Sequence, residues 1–383
     1  MTYLDYSEST LRETDAYWTA KEIQQQPETW AKTLQMLEEN KPQIDAFLQP
    51  ILAKKDIRII LTGAGTSAFV GASIAPAIMK QLGVRVEAIP TTDLVSNPHE
   101  YFQADVPTLM VSFARSGNSP ESVAAFECAE KLLNDCAQLA ITCNDQGALF
   151  KCCEGDNKLA LLMPEETNDR SFAMTSSFSC MLLTALYVFC PSDNFGQDLA
   201  LSINATSALL KTYNLMLKSV AMKKFTRVVY LGSGVSKGLA QESALKLLEL
   251  TDGQALSSYD SPLGFRHGPK AVVNSDTLVV IYISNDPYTR QYDLELLAEL
   301  QKDQEVGQIL SVTAKDDPVF KQGECIMLDG VANVNDTFLL FPFIVCAQMY
   351  ALQHSLAIGN TPDNPSSSGT INRVVQGVNI HAL

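Results

Sequence analysis

Residues 55–80, "KDIRIILTGAGTSAFVGASIAPAIMK", and residues 225–250, "FTRVVYLGSGVSKGLAQESALKLLEL", follow one pattern: an apolar run, a Gly-x-Gly turn and a helix-like stretch. The likeness continues downstream. "VPTLMVSFARS" has its counterpart in "DTLVVIYISND", and "AQLAITCNDQ" in "QILSVTAKDD". A whole α/β unit is present twice. Short apolar strands that alternate with helices need crossover connections, and these build a parallel sheet covered on both faces. A chain of 383 residues is long enough for two such units. The expected fold is α/β, with two tandem, doubly wound parallel-sheet domains of flavodoxin-like type over residues 45–200 and 213–365. An N-terminal helical lead-in over 1–44 precedes them and a C-terminal flap over 366–383 follows. In the lead-in, Trp30, Leu34, Leu37, Ile44 and Leu48 fall near helical spacing.

The composition, 46% hydrophobic and 19% charged, is that of a soluble globular chain. A formal net charge of -15 argues against nucleic acid as a partner, because such binding needs clustered Lys and Arg. The first ten residues, "MTYLDYSEST", carry neither a basic stretch nor an apolar one, so a cytoplasmic location is expected. The most apolar stretch, "FLLFPFIVCAQMYAL", reads as too short and too interrupted by Pro342 and Gln348 to span a membrane. Nine cysteines without a C-x-x-C pair fit reduced thiols better than disulfides, zinc or a redox centre. No metal is expected.

Gly63, Gly65 and Ala68 fit the G-x-G-x-x-[G/A] pattern of dinucleotide folds, although such glycines equally serve only to turn the chain. The second strand, "VRVEAIPTTD", has no acidic residue at its end to hold a ribose, which weakens a nicotinamide reading. Thr66 and Ser67 fill the turn instead, and a second hydroxyl-rich loop, "SFARSGNSPES", supplies Arg115, Ser116 and Ser119. Both loops lie at the carboxyl ends of strands, where open α/β sheets bind ligands. Hydroxyls, free N–H groups and two helix N-termini there can hold one phosphomonoester without a metal. The same residues also suit ordinary helix caps. The second copy has lost the set, since its loops read "GSGVSK" and "YISNDPY". One half is therefore expected to bind while the other contributes chemistry.

In that second half Glu242, Lys246 and Glu249 share one helix face, a spacing that also suits a solvated Glu–Lys pair. Leu247, Leu248 and Leu250 lie on other faces and are expected to pack. His267, one of four histidines, lies in "SYDSPLGFRHGPKAVV" between Arg266 and Gly268-Pro269.

"LTGAGTS", "SFARSGNSPES", "GLAQESALKLLEL" and "FRHGP" together resemble the sugar isomerase (SIS) domain family in its tandem form, over about residues 40 to 383. They are similar to the isomerase half of glucosamine-6-phosphate synthase. They are more similar to the bacterial branch that deaminates galactosamine 6-phosphate, whose motifs "NDRSFAMTSSFSCM" and "NPSSSGTINRVVQGVNI" also match.

The resemblance implies conversion of D-galactosamine 6-phosphate to tagatose 6-phosphate and ammonia through an enolamine, with no cofactor. It places Gly65, Thr66, Ser67, Arg115, Ser116 and Ser119 in a sugar-phosphate pocket, Glu249 as the proton-transferring group and His267 as the ring opener. Glu242 and Lys246 match the family's second carboxylate and helix lysine. In relatives the histidine comes from the neighbouring subunit, which implies at least a homodimer. Arg373 stands nearest the tail lysine of the family, after an inserted "SSSG", and arginine does not readily form an imine. Met174 replaces a serine that lines the synthase pocket. Two other activities stay open: aldose–ketose isomerisation of a hexose phosphate without deamination, and non-catalytic sugar-phosphate sensing. Against the second, no basic helix-turn-helix segment precedes the fold, and Glu249 and His267 are both present.

Overall fold

Two adjacent inner strands of the first repeat, Arg58–Thr62 and Thr108–Ala114, are buried along their whole length, as a parallel sheet with helices on both faces demands. In the computed structural model, which describes residues 1–383 apart from 367, 370 and 376, this sheet has five strands. They are β1 (Arg58–Thr62), β2 (Arg85–Ala88), β3 (Thr108–Ala114), β4 (Cys136–Thr142) and β5 (Lys158–Leu162), in the order β2-β1-β3-β4-β5. The second sheet contains β6 (Arg227–Gly232), β7 (Leu256–Asp260), β8 (Thr277–Tyr282), β9 (Gln308–Thr313) and β10 (Glu324–Met327), in the order β7-β6-β8-β9-β10. All pairings in both sheets are parallel. The two orders are the same, and each reverses direction next to its first strand, which creates a crevice at the strands' carboxyl ends. The expected tandem doubly wound α/β architecture is present.

The chain divides into two compact units. One, built on the first sheet, comprises Thr29–Asp169, Met174–Ser192 and Ser368–Leu383. The other, built on the second sheet, comprises Met1–Glu28, Arg170–Ala173 and Asp193–Ser367. The lead-in is mainly helical, but the chain begins with a small antiparallel ladder of Thr2–Tyr3 on Tyr6–Ser7. Leu4 and Asp5 both have positive φ there, the backbone that a two-residue hairpin turn uses. Helix α1 (Gln26–Leu52) then buries Trp30, Leu37, Ile44 and Leu48, while Leu34 is half-buried. The Trp30 indole donates to Ser179 Oγ at 2.8 Å.

Five further helices matter for function: α2 (Thr66–Leu82), α3 (Pro120–Leu132), α4 (Ser176–Phe189), α5 (Phe195–Thr212) and α6 (Val235–Leu250). Gly63 and Gly232 precede α2 and α6, and a Cβ on either would come within 2.6 Å of the first turn of the helix that follows. Two later helices are α7 (Pro287–Asp303) and α8 (Asp336–Ala357). The apolar stretch expected to be too broken for a span is part of α8, a continuous helix of 22 residues that is long and apolar enough by length and composition. It is a core helix, with 94% of its apolar window buried inside the protein. Pro342 does not end it. The Phe338 carbonyl that Pro342 leaves without its helical donor accepts from Ser202 Oγ of α5 at 2.9 Å.

Candidate active site

In the first repeat, β1 runs into α2 and β3 into α3. Gly65 caps α2 with φ +55, and Thr66 and Ser67 form the buried first turn. Ser119 caps α3 and Pro120 follows it. Gly65 has no side chain to cap with, and the Ser119 side chain makes no cap bond to α3. Arg115 is buried, and its guanidinium donates to the carbonyl of Arg373 at 3.0 Å. The loop between is braced from outside: Asn144 Nδ2 donates to Ser116 O at 2.7 Å, and Ala148 N to Asn118 Oδ1 at 3.0 Å. Ser67 Oγ lies 3.9 Å from Met174 Sδ. Hydroxyls, a buried cation and two helix N-termini thus lie at the ends of the paired strands β1 and β3 in one unit, groups that can bind an anion.

Asp169 is a residue whose role the sequence did not disclose. It is fully buried, and its carboxylate accepts backbone N–H groups from Thr175 (2.7 Å), Ser176 (3.2 Å) and Ser177 (2.9 Å). The Ser177 hydroxyl donates to it as well, at 2.6 Å. It therefore holds the N-terminus of α4 by satisfying donors the helix cannot use itself. Its backbone carbonyl accepts from the Arg373 guanidinium. The motif "NDRSFAMTSSFSCM" is this clamp, and the run of hydroxyl residues after an aspartate was the signal for it. Of the expected flap, residues 367, 370 and 376 lie outside the described residues, while Arg373 is bound to the cradle unit on both sides.

The second repeat supplies titratable groups. Glu242 and Lys246 on α6 are fully buried, and Glu249 keeps 23% of its side chain exposed. Lys246 Nζ contacts the Glu249 carboxylate and lies 3.4 Å from Glu242 Oε1. This is not a solvated helix face. Burying a carboxylate and an ammonium, with a second carboxylate at the ammonium, is expensive unless they serve each other, and such clusters concentrate at functional sites. Leu247 and Leu250 pack in the core, but Leu248, expected to pack as well, is 38% exposed.

His267 follows the short helix Pro262–Phe265 in this same unit and is exposed. The buried Phe265 anchors its turn on one side. On the other, Arg266 Nε lies 2.9 Å from Glu299 Oε2, and Lys270 contacts Glu299 and Asp303 of α7. In the same unit Leu256, at the start of the edge strand β7, is 64% exposed, and Leu263, in the short helix before the turn, 45%. Among the described residues no group of three or more His, Cys, Asp or Glu could hold a metal ion. All nine cysteines are free.

A family model described as SIS domain matches residues 51–189 and again 221–358. The D-galactosamine-6-phosphate deaminase AgaS of Escherichia coli is 48% identical over 366 residues, 95% of this chain and 95% of its own. The protein of the same name from Shewanella sp. is 45% identical, over 98% of this chain and 94% of its own. The crystal structure of tagatose-6-phosphate ketose/aldose isomerase from Escherichia coli matches with a TM-score of 0.91 at 43% identity, covering 100% of this chain and 99% of that one.

Proposed function

Because this chain belongs to the SIS domain family, in two copies of the domain, we propose that it is a D-galactosamine-6-phosphate deaminase/isomerase. The observation that carries the chemistry is the buried Glu242–Lys246–Glu249 cluster, in which a partly exposed carboxylate is held against a fully buried ammonium. In the first repeat Thr66, Ser67, Ser116, Ser119 and Arg115 take the substrate's phosphate. His267 opens the sugar ring by moving a proton at O5. Glu249 then removes the proton from C2 and returns it to C1, which turns the amino aldose into an enolamine and then a ketimine. Water adds to the ketimine, the C–N bond breaks, and tagatose 6-phosphate and ammonia leave. Lys246 steadies the charge on Glu249, and Arg373 offers a cation for the oxyanion that develops at O1. Residue types alone suffice for each step, and no cofactor is required.

The exposed His267, on a turn braced by the Arg266–Glu299 ion pair, supports a homodimer in which this histidine serves the neighbouring subunit. The same reading places the enzyme in the cytoplasm with a small sugar phosphate as its partner. The named activity of the Escherichia coli isomerase structure favours a second reading, aldose–ketose isomerisation without loss of nitrogen.

Glu249→Gln is the decisive variant for the base. It is expected to lose turnover by about 10²–10⁴-fold while binding sugar phosphate normally. Full activity in that variant would remove Glu249 from its role.

A further inference from the structure

The two repeats share their sheet order, yet they treat the ends of their strands differently. Thr62 pairs with Ser112 in the first sheet and Leu231 with Ile281 in the second, so Arg115 and Ser284 occupy the same step of the fold. Ser119 and Asp286 are the N-caps of α3 and α7, each followed by proline, with the loop of the second repeat two residues shorter. In the first repeat the cap makes no side-chain bond. In the second, Asp286 accepts the backbone N–H groups of Tyr288 (3.0 Å) and Thr289 (2.9 Å).

Two further carboxylates reach the same loop. Asp336 accepts from the Ser284 hydroxyl and from Asn285 N at 2.7 Å, a two-pronged grip. Asp293, fully buried, accepts from Ser233 Oγ at 2.5 Å and from Ser284 N at 2.9 Å, and so ties the two strand-end loops together. Two cations reach the same loop through its carbonyls: Arg290 donates to Ser284 O and Lys315 Nζ to Asn285 O.

We propose that the second repeat retains an anion-binding loop whose occupant is the chain's own carboxylates, Asp286, Asp293 and Asp336. The backbone N–H and hydroxyl donors that would face a phosphate are taken by oxygens from α7, its cap and α8. Each chain therefore holds one phosphate rather than two, the part of this inference that rests on the cradle assigned to the first repeat. Sugar phosphate cannot bind unproductively at the repeat that carries Glu249 on its first helix. Burial pushes the Asp293 carboxyl up to about 6, against the pull of Ser233, the Ser284 N–H and Arg290, so it remains mostly ionised at neutral pH.

Two measurements on the full-length protein test this. The first is thermal unfolding of Asp336→Ala and Asp293→Ala in sodium formate, with sodium chloride of equal ionic strength as control. Formate is small enough to replace the deleted carboxylate, and is expected to raise the Tm of each variant by about 3 °C over chloride while leaving wild type unchanged. Asp336 is only half-buried, so its variant serves even if Asp293→Ala does not fold. No formate effect in any folded variant overturns the proposal. The second is calorimetric titration of wild type with inorganic phosphate, expected to give one site per chain. Two sites per chain overturn the proposal. No phosphate binding at all removes the cradle of the first repeat instead, and the formate measurement still decides the second.

Discussion

Replacing Asp169 by alanine deletes the acceptor of three backbone N–H groups and of the Thr175 and Ser177 hydroxyls, all buried. The hydroxyls can turn to other acceptors. The N–H groups cannot, because they are the first donors of α4 and point away from its own carbonyls. Each buried donor left without a partner costs about 1–3 kcal/mol, and water entering the vacated space recovers part of that. A net loss of about 3–5 kcal/mol follows, at the upper end of what single substitutions do. In a unit of this size 1 kcal/mol moves Tm by about 2–4 °C, so Asp169→Ala is expected to unfold on the order of 10 °C below wild type. Asp169→Asn keeps the shape and one acceptor but aims an N–H at the helix donors, and is expected to fall in between. Ser177→Ala, which removes one hydroxyl only, is expected to lose about 1 kcal/mol. Differential scanning calorimetry of the three variants reads all of this. A Tm for Asp169→Ala within about 2 °C of wild type would show that the N-terminus of α4 is not held by this carboxylate.

Three other outcomes are expected. Lys246→Met strands Glu242 in the core and should lower stability by about 3–5 kcal/mol in urea titrations, whereas Glu242→Gln/Lys246→Met recovers stability but not turnover. Arg115→Ala should raise the KM for sugar phosphate about 10–100-fold, the worth of a hydrogen bond to a charged group, with a smaller change in kcat. Acid stability should depend on two buried groups of opposite sign. His354 is lowered to about 4 by burial and by Lys224, so the unfolded chain binds its proton first and stability falls as pH drops through 6.5 toward 4. Asp293 is raised to about 6 by burial and by Asp336, against Arg290, so the folded chain binds its proton first and stability rises as pH drops from 6 toward 4. Each effect is worth up to about 3 kcal/mol. Urea unfolding at pH 7.5 and 5 should therefore show a steeper acid loss in Asp293→Asn and a gain in His354→Phe.

The duplicated strand–glycine–helix pattern carried the fold, because the period of apolar residues and the glycine turns depend on local sequence. The placement of Thr66, Ser67 and Ser119 at strand-to-helix junctions was legible for the same reason, because a sequence marks such junctions. The buried state of Glu242 and Lys246 was not legible, since i,i+4 spacing is the same on a wet face and a dry one. Their burial follows from the packing of α6 on α8, elements about a hundred residues apart in the chain. The role of Asp169 and the inward turn of Asp293 and Asp336 were hidden likewise, since an aspartate in sequence does not reveal which distant N–H it meets. The continuity of α8 through Pro342 depended on Ser202, a residue of another helix.

The central claim concerns nitrogen. Purified protein incubated with D-galactosamine 6-phosphate should release one ammonia for each tagatose 6-phosphate formed, and Glu249→Gln should release neither. Ketose phosphate formed from an unsubstituted hexose phosphate, with no ammonia from the amino sugar, would contradict the account.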